Sequence, residues 1–193
     1  LTQSQFEPIK IDDRLWIVPS WHDAPDKEAI NLQLDPGMAF GTGSHPTTRL
    51  CLEWLLATVR PGNTLLDYGC GSGILAITAA KLGAVRIVGV EIDEQAIEAA
   101  RRNAMQNQVA VDLRHSSRPL AESFDLVVAN ILTNPLCVLA PLLAGRVATG
   151  GRLALSGVLD SQAQQVIDAY APYIPLRVGA LREGWCRLEG ETP

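Results

Sequence analysis

The stretch TLLDYGCGSG, residues 64–73, decides the fold. A short apolar run leads to an acid, and glycines follow at alternate positions 69, 71 and 73. The segment ILAITAAKLG comes directly after and has the composition of a buried helix. A strand that ends in such a turn and opens a helix is the cofactor-binding crossover of an open α/β sheet. Gly69, Gly71 and Gly73 let the backbone turn sharply and come close to a ligand, which the first N–H groups of the helix then face. The glycines alone also fit a dinucleotide site of the form G-x-G-x-x-A, with Ala76 as the last small residue.

Asp67 separates these readings. It stands at the carboxyl end of the strand, where a pyrophosphate would meet its negative charge at short range. S-adenosylmethionine carries no phosphate, and its ammonium and sulfonium both suit a carboxylate. A second acid, Glu91, ends the next apolar run, RIVGVEID, 22 residues after Gly69. That is the place where such folds grip a ribose through its hydroxyls. A hydrogen bond to a charged group is worth roughly 1.5–3 kcal/mol. The bland alternatives are a turn or capping acid for Asp67 and a solvated strand-end acid for Glu91. Asp93 reads as the N-cap of the helix EQAIEAARRNA.

Composition narrows the class. The chain has 193 residues, 47% hydrophobic and 19% charged, as expected of one globular domain with its own core. No run approaches 18 apolar residues, so no membrane span is expected. A net charge of −5 speaks against a generic nucleic-acid binder. Cys51, Cys70, Cys137 and Cys186 show neither zinc-like spacing nor close pairing, so reduced thiols and a cytoplasmic location are expected. His22, His45 and His115 are scattered, and no metal site is expected. The chain opens on Leu1 without a signal-like layout and reads as a fragment or trimmed product.

The remaining pattern alternates strands with helices. IKIDDRLWIVPSW reads as a strand pair turning at Asp12-Asp13, with Trp16 and Trp21 covering one end of the core, and INLQL as a further short strand. Residues 34–48, LDPGMAFGTGSHPTT, are rich in breakers yet poor in charge. They contain Met38 and Phe40, which need a surface to cover, so the segment reads as a ligand loop. Thr47 and Thr48 open the helix TTRLCLEWLLATV, where N–H groups and a hydroxyl can meet a carboxylate; one of them could instead be a plain N-cap. Helices are expected at 74–82, 94–107, 135–148 and 161–171, and strands at 86–92, 111–116, 124–132 and 152–158. A final antiparallel pair turns at Glu183-Gly184. The result is an α/β sheet with helices on both faces and an antiparallel edge.

Asn130 is the one strongly polar residue in VVANIL, at the carboxyl end of a central strand. Its side-chain oxygen can accept a hydrogen bond from an incoming amine, while Ile131 and Leu132 supply dry walls. Methyl transfer to an amine needs the nitrogen lone pair aimed in line, and positioning supplies most of the acceleration. Asn130 could alternatively be a turn residue or touch only the cofactor. Asn134, before Pro135, reads as a helix N-cap.

With DYGCGSG, GVEID, GTGSHPTT and VVANIL in this order, the chain resembles the class I S-adenosylmethionine-dependent methyltransferases, and more narrowly the PrmA family, which methylates the eleventh large-subunit ribosomal protein. DRLWIVPSW, LSGVL and EGWCRL strengthen the narrower likeness. The resemblance implies a Rossmann-like, seven-stranded, mostly parallel sheet with its last strand antiparallel. It implies cofactor contacts at Thr48, Gly69, Glu91 and Asn130, to which the residue reading adds Asp67, Gly71 and Gly73. It implies repeated transfer to Lys side-chain and N-terminal amino groups. Glu91 stands where the family often has Asp. Residues 1–35 are expected to be linker and lead-in strands and residues 36–193 the catalytic domain, with a separate amino-terminal substrate-docking domain lying outside this chain. A monomer that binds a ribosomal protein, without direct nucleic-acid or membrane contact, is expected. The competing readings are a base or small-molecule N-methyltransferase, an NAD-dependent oxidoreductase and a non-catalytic S-adenosylmethionine-binding module. A nucleic-acid enzyme would want an aromatic beside Asn130 to stack a flipped base, and NIL offers none.

Overall fold

The computed structural model describes residues 6–36 and 43–193. Strands β1 (Ile9–Asp12), β2 (Leu15–Val18) and β3 (Ile30–Gln33) form a small sheet in that order. Helix α1 (Pro46–Thr58) then leads into the main unit. There β4 (Thr64–Tyr68), α2 (Ile74–Lys81), β5 (Arg86–Glu91), α3 (Glu94–Gln106) and β6 (Asp112–His115) alternate. They are followed by β7 (Phe124–Asn130), α4 (Thr133–Val138), α5 (Ala140–Gly145), β8 (Val147–Leu159), α6 (Ala163–Tyr170), β9 (Arg177–Arg182) and β10 (Trp185–Glu191).

The main sheet has seven strands in the order β6-β5-β4-β7-β8-β10-β9. β4 pairs in parallel with both β5 and β7, and β7 with β8, whereas β10 is antiparallel to β8 and β9. The expected fold is therefore present, last strand included. The chain runs outward from β4 to β6 and then returns to the other side of β4, so the order reverses between β4 and β7. Ligands of open α/β sheets bind in the crevice at such a reversal, beyond the carboxyl ends of the strands.

The period of two along each central strand explains the layers. Leu65, Val128 and Ala154 face one apolar cluster, which holds Leu52 and Leu55 of α1 and Leu75 and Ile77 of α2. Leu66, Val127 and Leu155 face the other, with Leu136 of α4, Leu143 of α5 and Val166 of α6. Strands buried on both faces read as continuous apolar runs. Ile11, Leu15, Ile17 and Leu32 of the small sheet join the first cluster. Trp16 and Trp21 are only half-buried and lie outside the buried core. No helix among the described residues is long and apolar enough to cross a membrane.

Several local expectations change. The helix expected at 135–148 is two short helices broken at Leu139, because Pro141 in the first turn of α5 lacks an N–H and its ring would collide with the carbonyl one turn back. Asn134 lies inside α4 and caps nothing: the N-cap is Leu132, and the Asn134 Oδ1 accepts instead from Gln165 Nε2 at 3.3 Å. The first hairpin turns at Asp13-Arg14 rather than Asp12-Asp13. The last turns at Glu183-Gly184, with φ of 51° and 83°, the two-residue geometry that matches strand twist.

Candidate active site

The glycine turn hangs from the neighbouring strand. The N–H groups of Gly69 and Cys70 both donate to the Val90 carbonyl, at 2.7 and 3.0 Å. Gly69, Gly71 and Gly73 have φ of 77°, 52° and 83°. At Gly69 any Cβ would overlap the Ile131 side chain, so glycine is required there for space as well as conformation.

Gly73 is the N-cap of α2 and has no side chain to offer. Asp67 supplies the missing acceptor from the end of β4, its Oδ2 accepting from the Ala76 N–H at 3.1 Å. Asp67 is 1% exposed, and its Oδ1 has no hydrogen-bond partner. Burial pushes its carboxyl up to about 7; the Ala76 N–H opposes this and the Glu91 charge adds to it. A buried carboxylate with one unpaired oxygen is costly unless a cation or donor meets it.

Glu91 ends β5 facing the same turn. Its Oε1 accepts from the Gly71 N–H at 3.2 Å, and its Oε2 accepts from Ile92 and Asp93 N–H at 2.6 and 2.8 Å. Asp93 caps α3 through Gln95 N–H at 2.9 Å, as its position suggested. Cys70, between the two acids, has its thiol held well above its usual range by burial and by both carboxylates, so it is a filler and no nucleophile.

Asn130 ends β7, half-buried, opposite Ser156 of β8. The next residue, Ile131, sits between two glycines. One is Gly69; the other is Gly157, with φ of 88°, where a Cβ would run into the Ile131 carbonyl. The Ile131 N–H donates to the Ser156 carbonyl at 3.2 Å. Asn130 is thereby fixed at the strand end beside the glycine turn. Ile131 is the packed wall, whereas Leu132 is 70% exposed and forms an outer rim. Gln162 Oε1 steadies this rim by accepting from the Thr133 hydroxyl at 2.8 Å and from the Leu159 N–H at 3.3 Å.

Thr48 reaches this end of the sheet on α1. The helix is capped by His45, whose Nδ1 accepts from the Thr47 N–H at 3.2 Å, so neither threonine is the N-cap. Thr47 and Thr48 are both buried in the first turn. The His45 ring meets Trp185 edge-on at 5.1 Å, and Gly43 packs against Ile17 and Ile74. One turn beyond Thr48, burial and the nearby Asp67 charge push the Cys51 thiol up to about 12. Met38 and Phe40 lie outside the described residues.

Asp67, Gly69, Gly71, Gly73, Glu91 and Asn130 thus converge where the strand order reverses, while Thr48 lies buried in the first turn of α1. A surface cleft lined by Trp54, Arg152, Arg177 and Glu189 lies on β8, β9 and β10 away from these residues. Its arginines are spent on Glu189 and Glu191. Among the described residues, no group of three His, Cys, Asp or Glu side chains is arranged to hold a metal.

The chain is similar to known proteins in sequence and in fold. The family model described as "Ribosomal protein L11 methyltransferase (PrmA)" matches residues 1–193. The ribosomal protein L11 methyltransferase of Dechloromonas aromatica (strain RCB) is 61% identical over 193 residues, covering 100% of this chain and 65% of that protein. The chain therefore spans about 65% of that relative's length. The crystal structure of a ribosomal protein L11 methylase from Lactobacillus delbrueckii subsp. bulgaricus superposes with a TM-score of 0.88 at 31% identity, over 97% of this chain and 100% of that one. An RNA methyltransferase from Salinibacter ruber, solved in complex with S-adenosyl-L-homocysteine, matches with a TM-score of 0.61 at 25% identity, over 77% of this chain and 94% of that one. On the match over its whole length, this chain belongs to the ribosomal protein L11 methyltransferase (PrmA) family.

Proposed function

We propose that this chain is the catalytic part, residues 36–193 foremost, of an S-adenosylmethionine-dependent protein N-methyltransferase acting on amino groups of ribosomal protein L11. The observation that carries this reading is the placement of Asp67 and Asn130 at the carboxyl ends of the adjacent strands β4 and β7, where the strand order reverses. Asp67 is a buried carboxylate with one oxygen unpartnered, and Asn130 ends its strand half-buried.

The residues fit the cofactor. Asp67 Oδ1 suits its ammonium, the remaining acceptor capacity of Glu91 suits its ribose hydroxyls, and the close-approach glycines suit its backbone-facing edge. The first turn of α1 at Thr48 suits its carboxylate. When bound, S-adenosylmethionine supplies a methyl group activated by a sulfonium.

The chain's own part is positioning. Asn130 accepts a hydrogen bond from the incoming amine and so turns the nitrogen lone pair inward. Ile131 keeps water from that nitrogen. The amine must be neutral, which at pH 7 costs roughly 4–5 kcal/mol for a Lys side chain and about 1 kcal/mol for an α-amino group. A dry crevice lowers that cost. The residues that follow Asn130, Ile131 and Leu132, are aliphatic and offer no ring to stack a base, which favours a protein over a nucleic-acid substrate. We place the reaction in the cytoplasm and assign the enzyme as a monomer.

The test is transfer of labelled methyl groups from S-adenosylmethionine to purified ribosomal protein L11, with ribosomal RNA as the parallel substrate. Label in L11 amines is expected. Label confined to RNA would overturn the substrate assignment.

A further inference from the structure

Helix α3 carries two asparagines one turn apart, Asn103 and Asn107, and the side chain of each is used by distant backbone. Asn107 is 4% exposed at the C-cap of α3. Its Oδ1 accepts from the Gln33 N–H at 2.8 Å, and its Nδ2 donates to the Gln33 carbonyl at 2.8 Å. The same Nδ2 donates to the Asn103 carbonyl at 2.8 Å. Asn103 Nδ2 in turn donates to the Ser72 carbonyl at 2.9 Å, inside the glycine turn.

The Asn107 amide acts as a surrogate peptide. β3 pairs with β2 on one side only, and on its other edge Gln33 exchanges two hydrogen bonds with Asn107, as it would with a residue of a neighbouring strand. Asn is a poor helix former, so Asn103 in the body of α3 runs against local preference. Such conflicts mark positions held for another reason.

The two ends of this relay matter to the site. Gln33 is the last residue of β3, from which the loop leads to α1 and Thr48. That root is further stapled where Asp35 accepts from the Ser20 N–H at 2.6 Å and its hydroxyl at 2.9 Å. Through α3, the end of β3 is thus joined to the glycine turn: Gln33 to Asn107, Asn107 to the Asn103 carbonyl, and the Asn103 side chain to Ser72.

We infer that Asn103 and Asn107 are positioning residues for the cofactor site, a relay through α3 that holds the end of β3 in register with the glycine turn. The inference rests on the cofactor reading above. Neither residue touches the reacting atoms; each acts through Gln33 or Ser72.

The test is calorimetric titration of the wild-type chain, Asn103→Ala, Asn103→Leu and Asn107→Ala with S-adenosylhomocysteine. It is run at a temperature where circular dichroism shows every variant folded, with thermal midpoints recorded in parallel. Each variant is expected to raise Kd about five- to tenfold, the scale of one or two net hydrogen bonds. Asn103→Leu, which keeps bulk, should fare no better than Asn103→Ala. Midpoints that fall while Kd stays within twofold of wild type would overturn the relay. Failure of the wild-type chain itself to bind would instead overturn the cofactor reading.

Discussion

The carboxylate of Asp67, at the end of β4, accepts a hydrogen bond from the Ala76 N–H inside α2 at 3.1 Å, so one buried acid both caps the helix that follows the glycine turn and keeps its other oxygen without a partner. Its carboxyl sits near 7, raised by burial. Between about pH 4 and 7 the folded chain therefore holds a proton that the unfolded chain has released, and stability falls as pH rises through that window. A ligand ammonium reverses the preference by favouring the carboxylate. Binding of S-adenosylhomocysteine near pH 6.5 should release a proton, seen as a binding enthalpy that depends on the ionisation enthalpy of the buffer. Asp67→Asn should abolish that dependence and flatten the pH–stability slope.

Glu91 ties three backbone N–H groups together, on the glycine turn and on the start of the β5–α3 link. Glu91→Ala removes both this tie and the acceptor proposed for the ribose. Affinity for S-adenosylhomocysteine should fall at least about tenfold, about 1.4 kcal/mol. Equilibrium titration measures it, and unchanged affinity would show that Glu91 is only a loop brace.

Asn130→Ala should depress kcat at least as much as it raises the cofactor Kd, because the lost contact is made to the amine in the reacting arrangement. Steady-state kinetics with ribosomal protein L11 gives the split. Intact kcat with a raised KM for the cofactor would move Asn130 from the amine to the cofactor.

Gly157→Ala sets a Cβ against the Ile131 carbonyl in left-handed backbone. The conformational penalty alone is about 1–2 kcal/mol. The overlap should displace the segment that follows Asn130. A lower thermal midpoint together with lost turnover is expected, while Gly150→Ala, also left-handed but with open space around it, should show the lower midpoint alone.

The alternation of strand and helix, the glycine turn and both acids were legible because each depends on residues close in sequence: an apolar period, a breaker, a charge at a strand end. The break at Leu139 was visible in principle through Pro141, but an unbroken apolar face from Leu136 to Leu143 outweighed it. His45 is not legible as the cap of α1, because imidazole competes poorly with the two threonines beside it on preference alone. Nothing local separates Asn103 and Asn107 from the other polar residues around α3. Their partners lie 31 and 74 residues away, and no local pattern encodes such pairings. The need for glycine at 157 comes from the Ile131 carbonyl packed against it, 26 residues away in sequence.

The central claim is that the crevice at the ends of β4, β5 and β7 holds S-adenosylmethionine. Calorimetric titration of this chain with S-adenosylhomocysteine, against NADH as the competing class, tests it most directly. One-to-one binding of S-adenosylhomocysteine, weakened in both Asp67→Asn and Glu91→Ala and absent for NADH, is the predicted result. Binding of NADH, or S-adenosylhomocysteine binding untouched by both substitutions, would contradict it.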